Sequence, residues 1–365
     1  MKFSIAQSEL ARALSIVQKG AQSRSTLPIL SGIYLEASGD EVLFQTTDLE
    51  LSIQFKVVAM VEEVGCAVLP AKLAVDIVKS LPDAAVHVST EGDTTTITCD
   101  NSSFSVKGLD PVDWPGFPSV NSTCSIEVPF DVFAGMAKRV AGVVSRDESR
   151  PVLMGVLVSV EDGALKMVAT DSYRLSCTQQ PCDNLDASFS AVVAGSFIQE
   201  LASLPRSKEP IVLGLTENQI VVSYQGTSFV NRRIEGNYPN YRQLIPSAHT
   251  TRAQVDASAL SAAVKRASIM GHTGSSVRFS VSPDAQAITV SAVAQDVGSI
   301  QEMVPAQVEG DAVEIGFNSS YVIDGLGASA TDTVSFELQG SMKPGVLRTA
   351  DQGDYLYLIM PVRLS

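Results

Sequence analysis

The chain is poor in the residue types that most often carry catalysis and metal binding. Its 365 residues include only three histidines, five cysteines and one tryptophan. His87, His249 and His272 are far apart in sequence, so they offer little for a histidine metal site or for general-base chemistry. The cysteines are odd in number and form no Cys-x-x-Cys pair, which argues against a disulfide framework or a zinc site. We therefore expect no metal, no cofactor, and cysteines that are small buried or half-buried side chains.

Long apolar runs are absent as well. No segment is long and apolar enough to span a membrane, and the opening MKFSIAQSEL is too polar for a secretory signal. We therefore expect a cytoplasmic protein with no membrane partner. Hydrophobic residues make up 45% of the chain, which is enough for sizeable cores. At about 100–200 residues per domain, the length predicts two or three domains.

Positive charge is scarce, since 26 basic residues face 40 acidic ones and the formal net charge is −14. This balance argues against a protein that holds nucleic acid with its whole surface. It permits a local basic face, because solvent and salt screen charges over about 8–10 Å.

Signature motifs of common enzyme classes are also missing. The sequence has no G-x-x-x-x-G-K-[ST], no G-x-S-x-G, no H-E-x-x-H and no EF-hand loop. Gly325-Leu326-Gly327 lacks the third glycine of a dinucleotide fingerprint. Asp48 and Asp171 could be read as paired carboxylates, but they hold equivalent places in two repeats, so we predict that they cap turns. A hydrolase or transferase on an unfamiliar β-rich fold, and an adhesion scaffold without a nucleic-acid partner, remain open at this point.

The sequence repeats itself at a nearly constant period. Matching apolar positions in helical segments recur at spacings of 123–127 residues: Leu10, Phe133 and Leu260 in one set, and Leu73, Phe197 and Tyr321 in the other. Asp48 and Asp171 follow the same period. Several independent matches at one period indicate repeated domains. We predict three domains of one fold, at residues 1–122, 123–248 and 249–365.

Each repeat has the same coarse layout. Alternating strands are separated by turn sequences such as Ser38-Gly39-Asp40 and Glu161-Asp162-Gly163, which are typical of hairpins. Helical periodicity recurs as well, for example in Leu10, Leu14 and Val17 at i, i+4 and i+7. The pattern predicts an α+β fold, with two helices packed on antiparallel sheet in each repeat.

The predicted helices are less acidic than the rest of the chain. Together they hold eight basic and six acidic residues, against −14 for the whole. Ordinary solvated helix faces would account for this difference. A shared, mildly basic surface formed by six helices is the sharper interpretation.

Several segments, in order along the chain, resemble one known family. They are MKFSIAQSEL, Arg24-Ser25-Thr26-Leu27-Pro28-Ile29-Leu30, Thr47-Asp48-Leu49-Glu50, Arg150-Pro151-Val152-Leu153, Ala169-Thr170-Asp171 with Arg174-Leu175, Tyr238-Pro239-Asn240-Tyr241, and Tyr357 through Leu364. On these segments the chain resembles the bacterial DNA polymerase III β subunits, the sliding clamps, over essentially all 365 residues.

The resemblance implies a non-catalytic processivity subunit of a DNA-directed DNA polymerase. Two three-domain chains would join head to tail into a six-domain ring that encircles duplex DNA without reading its sequence and tethers the replicative polymerase. It implies several partners: DNA, a second copy of the chain, the DNA polymerase III α subunit, the clamp loader δ subunit and other proteins with clamp-binding motifs. Arg24 and Lys72 match family DNA contacts, whereas Ser196 stands where the family often has lysine. The basic helix residues complete the expected DNA-binding set: Arg12, Lys138, Arg139, Lys265 and Arg266.

The resemblance also implies a peptide pocket between the second and third domains. Two positions depart from the family, Tyr173 where histidine is frequent and Gln243 where arginine is frequent. Taken without the family, Leu153, Leu175 and Leu358 would equally be core residues. The matching positions are Leu153, Thr170, Tyr173, Arg174, Leu175, Pro239, Gln243, Leu244, Asn318, Tyr321, Pro344, Leu358, Met360, Pro361, Val362 and Arg363.

The resemblance places the subunit contact at an edge strand carrying Phe104 and Val106. This strand would meet the helix end at Ile269 and Met270 of the other copy. Core positions are the alternative for these four residues. The acidic residues expected to support the contact are few, namely Asp296 and Glu302.

Overall fold

The computed structural model describes residues 1–22, 26–119, 121–182, 189–270, 276–294, 298–349 and 354–364. Arg24, His272 and Asp296 lie outside the described residues. The chain divides into two compact units. Unit 1 comprises Met1–Glu127 and Lys208–Arg232, and unit 2 comprises Val128–Ser207 and Arg233–Ser365.

Helices occur in pairs, as the repeat predicted. They are α1 (Gln7–Val17), α2 (Ala71–Ser80), α3 (Phe130–Val140), α4 (Gly195–Ala202), α5 (Ala257–Ile269) and α6 (Ser319–Ser329). Helix α1 packs on α2, α3 on α4 and α5 on α6.

The remaining elements are mostly antiparallel strands. The first repeat contains β1 (Lys2–Ala6), β2 (Gly32–Ser38), β3 (Glu41–Thr47), β4 (Leu51–Val58), β5 (Met60–Glu63), β6 (Gly65–Pro70), β7 (Ala85–Glu91), β8 (Thr94–Cys99) and β9 (Ser102–Lys107). The second contains β10 (Cys124–Pro129), β11 (Gly155–Glu161), β12 (Ala164–Thr170), β13 (Arg174–Pro181), β14 (Ser190–Ala194), β15 (Pro210–Leu215), β16 (Gln219–Tyr224) and β17 (Thr227–Arg232). The third contains β18 (Thr251–Asp256), β19 (Ser276–Ser282), β20 (Ala287–Ala294), β21 (Gly298–Gly310), β22 (Val313–Asn318), β23 (Thr333–Leu338), β24 (Gly345–Thr349) and β25 (Tyr355–Ile359).

The described strands form three sheets, two of which cross the boundaries of the sequence repeats. One runs in the order β5-β1-β7-β8-β9 and a second in the order β10-β15-β16-β17-β4-β3-β2-β6. The third runs β14-β11-β12-β13-β25-β24-β23-β18-β21-β20-β19-β22. Strand β17 of the second repeat pairs with β4 of the first, with Phe229 opposite Ile53. Strand β25 of the third pairs with β13 of the second, with Tyr357 opposite Ser176.

The helix faces predicted from periodicity are the buried ones. In α1, Leu10 and Leu14 are each 2% exposed and Val17 is fully buried. Asp256 caps α5, since its side chain accepts a hydrogen bond from the Ala259 amide at 2.7 Å. The hairpin prediction is confirmed at Gly39, which joins β2 to β3 with φ of 60°. Glycine is suited to this left-handed conformation because it has no Cβ.

One cysteine departs from its prediction. Cys66 is exposed, while Cys99 is buried and the other three are partly buried. Cys66 lies near the start of β6, opposite Glu36 of β2. Within the described part of the chain, no helix could span a membrane and no group of three His, Cys, Asp or Glu could hold a metal ion.

Candidate functional site

A tight turn at residues 170–174 forms the centre of the candidate peptide site. One carboxylate oxygen of Asp171 accepts the amides of Tyr173 and Arg174, each at 2.9 Å. Thr170 Oγ1 accepts the Ser172 amide at 3.2 Å, and Ser172 adopts φ of 78°. Side-chain oxygens thus satisfy the amides that the turn leaves without backbone partners.

The same turn occurs in unit 1. Asp48 accepts the amides of Glu50 and Leu51 at 2.9 and 2.7 Å, and Thr47 accepts that of Leu49 at 3.0 Å. Leu49 adopts φ of 77°. The prediction that Asp48 and Asp171 cap equivalent turns is therefore confirmed.

Arg174 is an anchored cation rather than a free one, since its side chain is only 10% exposed. It donates to Asp171 at 3.0 Å, to Asp324 at 2.5 Å and to the Tyr357 hydroxyl at 3.1 Å. It also donates to the Gly142 carbonyl at 3.1 Å. Its guanidinium lies 4.5 Å from the centre of the Tyr321 ring. With every partner already inside the protein, Arg174 holds the wall of the site in position.

Burial opposes the charged form of Arg174, but its neighbours outweigh burial. Tyr357, Asp324 and Asp171 raise the pKa of Arg174 above its ordinary value. Asp324, Tyr357 and Gly142 were not predicted from the sequence as partners of Arg174. One signal was available: Asp324 follows Tyr321 by three residues in α6, which places both on one helix face.

The last strand and the tail after it form the next wall. Leu358 pairs with Leu175 across β25 and β13. Beyond the strand, the Met360 amide donates to the Tyr173 carbonyl at 2.9 Å. The Val362 amide then donates to the Gly316 carbonyl at 2.9 Å, so the tail is paired to β22. A Cβ atom placed on Gly316 would lie 2.7 Å from the Leu364 side chain, so the tail packs closely against β22 there.

A hydrophobic cluster lies beneath these walls. Leu175 and Leu358 are 1% and 2% exposed and pack with Tyr241, with Tyr238 and Cys177 alongside. Leu153 is 8% exposed, so all three leucines are buried, as expected if they are core residues. Burial raises the pKa of the Cys177 thiol to about 11, so the thiol stays protonated at neutral pH.

Exposed apolar side chains remain around this buried floor. Tyr173 is 61% exposed, Leu244 49% and Met360 41%. Arg150 joins the short 3₁₀ helix Pro151–Met154 to the turn, donating to Ser172 Oγ at 2.9 Å. We call this site, formed by the 170–174 turn, the 3₁₀ helices Pro151–Met154 and Tyr241–Leu244, and the tail from Met360 to Leu364, the tail groove.

The other predicted peptide residues lie on elements that border the tail groove. Asn318 caps α6, accepting the Ser320 amide at 2.9 Å, and Tyr321 follows in the first turn. Pro344 precedes Gly345, which pairs with Ile359. Pro239 and Gln243 are exposed next to Leu244, and Pro361 and Arg363 lie on the tail.

Basic helix residues fall into two groups. Lys72, Lys138 and Lys265 are exposed, and within the described residues no carboxylate lies within ion-pair distance of their amines. Arg12 is 3.8 Å from Glu9. Arg266 forms a two-point pair with Glu302 at 2.8 and 2.5 Å. The lysines are therefore the cations most available to a ligand.

Arg139 lies next to Lys138 on α3 but has a different environment. It is 17% exposed and pairs with Asp354 at 2.7 Å, with Tyr355 beneath its guanidinium at 5.4 Å. Burial by itself would raise the pKa of Asp354, yet hydrogen bonding and charge from Arg139 lower it below its ordinary value. Arg139 thus joins α3 to the start of β25, and little of its charge is left for an external phosphate.

The residues predicted for subunit contact lie at or beside two open strand edges. Strand β9 ends its sheet and carries Phe104, which is half-buried, and Val106, which is 4% exposed. In β21, residues 298–305 pair with β20 on one side, and no strand within the described residues pairs on the other. The Met270 side chain lies close to Gly298 of β21, since a Cβ atom placed on that glycine would be 3.2 Å from it. Ile269 is 77% exposed.

Comparisons with known proteins point to one family. Models of the DNA polymerase III beta subunit match residues 1–118 (N-terminal domain), 127–240 (central domain) and 242–363 (C-terminal domain). The chain is 31% identical over 374 residues to the Beta sliding clamp of Staphylococcus aureus and 32% to that of Staphylococcus epidermidis, each covering 100% of this chain and 99% of the relative.

Solved structures agree with these sequence matches. The DNA polymerase sliding clamp from Bacillus subtilis superposes with a TM-score of 0.96 at 30% identity. The DNA polymerase III subunit beta from Pseudomonas aeruginosa does so at 0.94 and 26%. Both alignments cover 100% of each chain. The three-domain fold of helices and antiparallel sheets predicted from sequence is thus confirmed.

Proposed function

This chain belongs to the family of bacterial DNA polymerase III beta subunits, and we propose that two copies close head to tail into a ring around duplex DNA. Its function is that of a DNA sliding clamp, a non-catalytic processivity factor in DNA replication. A closed ring holds a polymerase on DNA by topology, so it needs no tight contact with any base.

The way the sheets join supports the ring. The first and second repeats join edge to edge through β4 and β17, and the second and third join through β13 and β25. In each junction, the strand that follows the Asp turn of one repeat pairs with the last strand of the next repeat. The same rule leaves β21 open in the third repeat and β9 open in the first. A head-to-tail contact between β21 of one copy and β9 of another would repeat the observed junction and close the assembly.

The register of the two observed junctions extends to this proposed contact. Ile53 faces Phe229 in one junction, and Ser176 faces Tyr357 in the other. On the open edge of β9 the position equivalent to Phe229 is Phe104, since each lies at the same place in its hairpin. Phe104 would then supply the apolar side chain, with Ile269 and Met270 beside it. Val106 is already buried in its own chain, so we propose that it contributes through its backbone.

For DNA, we propose weak phosphate contacts by the exposed helix lysines. Lys72, Lys138 and Lys265 project from three different helices, and few, sequence-independent contacts suit a ring that must slide. Arg12 and Arg266 would contribute after partial release from their acidic neighbours. Arg139 would act mainly as a structural cation, and Arg24 keeps only its sequence match as support.

For proteins, we propose that the tail groove binds linear motifs of the polymerase α subunit, the clamp loader δ subunit and other partners. The apolar rim of Tyr173, Leu244 and Met360 supports this, since such anchors dominate peptide binding. We also propose a cytoplasmic location. The domain division that we propose is 1–122, 123–248 and 249–365, and the three family matches support this division.

Retention on circular DNA tests the ring directly. Protein loaded on a nicked plasmid should stay bound and should be released when a restriction enzyme linearises the plasmid. Ile269→Ala with Met270→Ala should produce monomers that are not retained, since apolar anchors are lost at both contacts. Met342→Ala, at a 65% exposed position outside α5, β9 and β21, is the matched control. Equal retention on linear and circular DNA, or a double variant that remains dimeric at nanomolar concentration, would contradict the proposal.

A further inference from the structure

We propose that a second apolar cleft, in unit 1, binds a short extended peptide whose apolar anchors are flanked by lysine or arginine. The cleft has a volume of about 480 Å³. Its floor and walls include Ile29, Leu49 and Leu109, and Asp110 and Asp113 lie at its border. We call it the Trp114 cleft, because Trp114 packs against the hydrophobic cluster of Ile29, Leu30 and Val68, two of which line the cleft.

The first support is its equivalence to the tail groove, so the inference rests in part on the peptide role proposed there. Both sites are built from a 3₁₀ helix beginning at proline, Pro28–Ser31 in one and Pro151–Met154 in the other. Both contain the Asp-capped turn described above. Both have an aromatic ring that donates a hydrogen bond to the strand before that turn: Trp114 to Gln45 at 3.3 Å, and Tyr238 to Val168 at 3.2 Å.

The second support is an exposed, strained leucine. Leu49 is 54% exposed and adopts φ of 77°, a conformation that disfavours side chains larger than glycine. Leu27, on the facing wall, is 49% exposed. A large apolar side chain held in an unfavourable conformation and open to solvent is more typical of a ligand contact than of a structural position.

The third support is charge, which determines the kind of peptide. Asp110 and Asp113 are both exposed, and Asp110 also caps the 3₁₀ helix Pro111–Asp113 by accepting the Val112 amide at 3.0 Å. This acidic border favours cationic residues next to the apolar anchors and disfavours DNA phosphates. The rim residues of the tail groove, Tyr173, Leu244 and Met360, are uncharged, so the two sites should select different peptides.

The single tryptophan provides a local reporter. Trp114 stacks on Tyr34 with ring centres 5.5 Å apart, and no other tryptophan in the chain contributes to the signal. Titration of the full-length protein with the capped peptide Gly-Lys-Leu-Leu-Lys-Gly should change Trp114 emission in a saturable way. Leu49→Gly should weaken this response about tenfold or more, because one leucine contact is lost while the left-handed conformation is relieved. Val112→Ser, at an 87% exposed position outside the cleft, should bind like the wild type.

Two further variants separate this inference from the proposed function. Asp110→Asn with Asp113→Asn should weaken binding several-fold, since asparagine keeps the helix cap but removes the charge. Deletion of residues 361–365 should leave the Trp114 response intact even though it disables the tail groove. The inference would be overturned by an unchanged emission at millimolar peptide, by a wild-type response in Leu49→Gly, or by loss of the response on deletion. Equal binding of a peptide with glutamate in place of lysine, or a response that follows protein rather than peptide concentration, would also overturn it.

Discussion

The Asp-capped turns of the tail groove and the Trp114 cleft share one backbone plan but differ in the exposed side chains at the adjoining strand junctions. In unit 2 the Met360 amide donates to the Tyr173 carbonyl at 2.9 Å, and in unit 1 the Arg232 amide donates to the Glu50 carbonyl at 3.0 Å. The unit 2 pair is an apolar rim, whereas the Arg232 and Glu50 side chains form an ion pair at 3.5 Å. The two repeats therefore share the turn and the strand junction, and they differ in the exposed side chains that these elements carry.

The wall behind the rim differs as well. Arg174, with its four hydrogen-bonded partners, stands in unit 2 where Leu51 stands in unit 1. The tail groove thus depends on a buried cation to join the turn to α6, and the Trp114 cleft does not. This difference predicts that substitutions at the two sites will have unequal costs.

Deletion of residues 361–365 should produce the largest effect. It removes the tail wall of the groove and the hydrogen bond from Val362 to Gly316, so binding of a hydrophobic clamp-binding peptide should fall below detection in calorimetry. The dimer should survive, because β9 and β21 are untouched. Arg363→Ala, at an exposed tail residue, controls for loss of charge alone. Wild-type affinity in the truncated dimer would place the peptide site elsewhere.

Arg174→Leu makes the unit 2 wall resemble that of unit 1. It leaves Asp171 and Asp324 without their cation, and the free energy of unfolding should fall by about 2–4 kcal/mol, as for other broken, largely buried ion pairs. Chemical denaturation of the variant and the wild type measures this change. A loss below about 0.5 kcal/mol would show that the network does not stabilise the wall.

Exchanging the rims tests the comparison itself. Tyr173→Glu with Met360→Arg gives the tail groove the ion pair of unit 1, and affinity for the hydrophobic peptide should fall about tenfold or more because two apolar anchors are lost. Stability should change little, since the exchanged side chains are 61% and 41% exposed. Val293→Glu with Met303→Arg, at exposed positions of unit 2 outside the groove, is a control of matched charge. Unchanged peptide affinity would show that the rim does not select the ligand.

The smallest effect is expected at the strand junction of unit 2. The folded-state pKa of Asp354 is lowered, so its pair with Arg139 stabilises fully at neutral pH, above the ordinary pKa of the carboxyl near 3.9. That contribution is lost as the pH falls through the lowered value. Asp354→Asn should reduce stability by about 1–2 kcal/mol at pH 7 and flatten its acid dependence below about pH 4.

Thermal unfolding at pH 7 and at pH 3 measures this effect. Glu50→Gln, which removes the exposed carboxylate of unit 1, should change neither value by more than about 0.5 kcal/mol. An Asp354→Asn variant with the acid dependence of the wild type would show that the pair does not stabilise the junction.

Much of the fold was predictable because its signals are local. The Asp48 and Asp171 turns, the buried stripe of α1 and the cap of α5 each depend on residues within one or two turns of chain. The strands were likewise predictable from alternation and hairpin residues. The candidate site was predictable only in outline, since its predicted residues come from six separate segments.

The ion pairs of the charged residues illustrate what could not be predicted from the sequence. Lys138 and Arg139 are neighbours in sequence and were both expected to face DNA. The structure leaves Lys138 exposed and pairs Arg139 with Asp354, 215 residues away. Nothing within either local segment distinguishes the two, because the difference depends on where β25 packs against α3.

The sequence by itself determined the repeat, the α+β layout, the turn chemistry and the family, because periodicity, capping and motif order are properties of neighbouring residues. Only the tertiary structure decided that Arg174 is buried in a hydrogen-bonded network, that Val106 is buried, that Cys66 is exposed and that the tail pairs with β22. These outcomes follow from strand order and register, which bring together residues of different elements, such as Arg174 and Asp324, 150 positions apart. Burial and ion pairing depend on that assembly, so no local pattern in the chain specifies them.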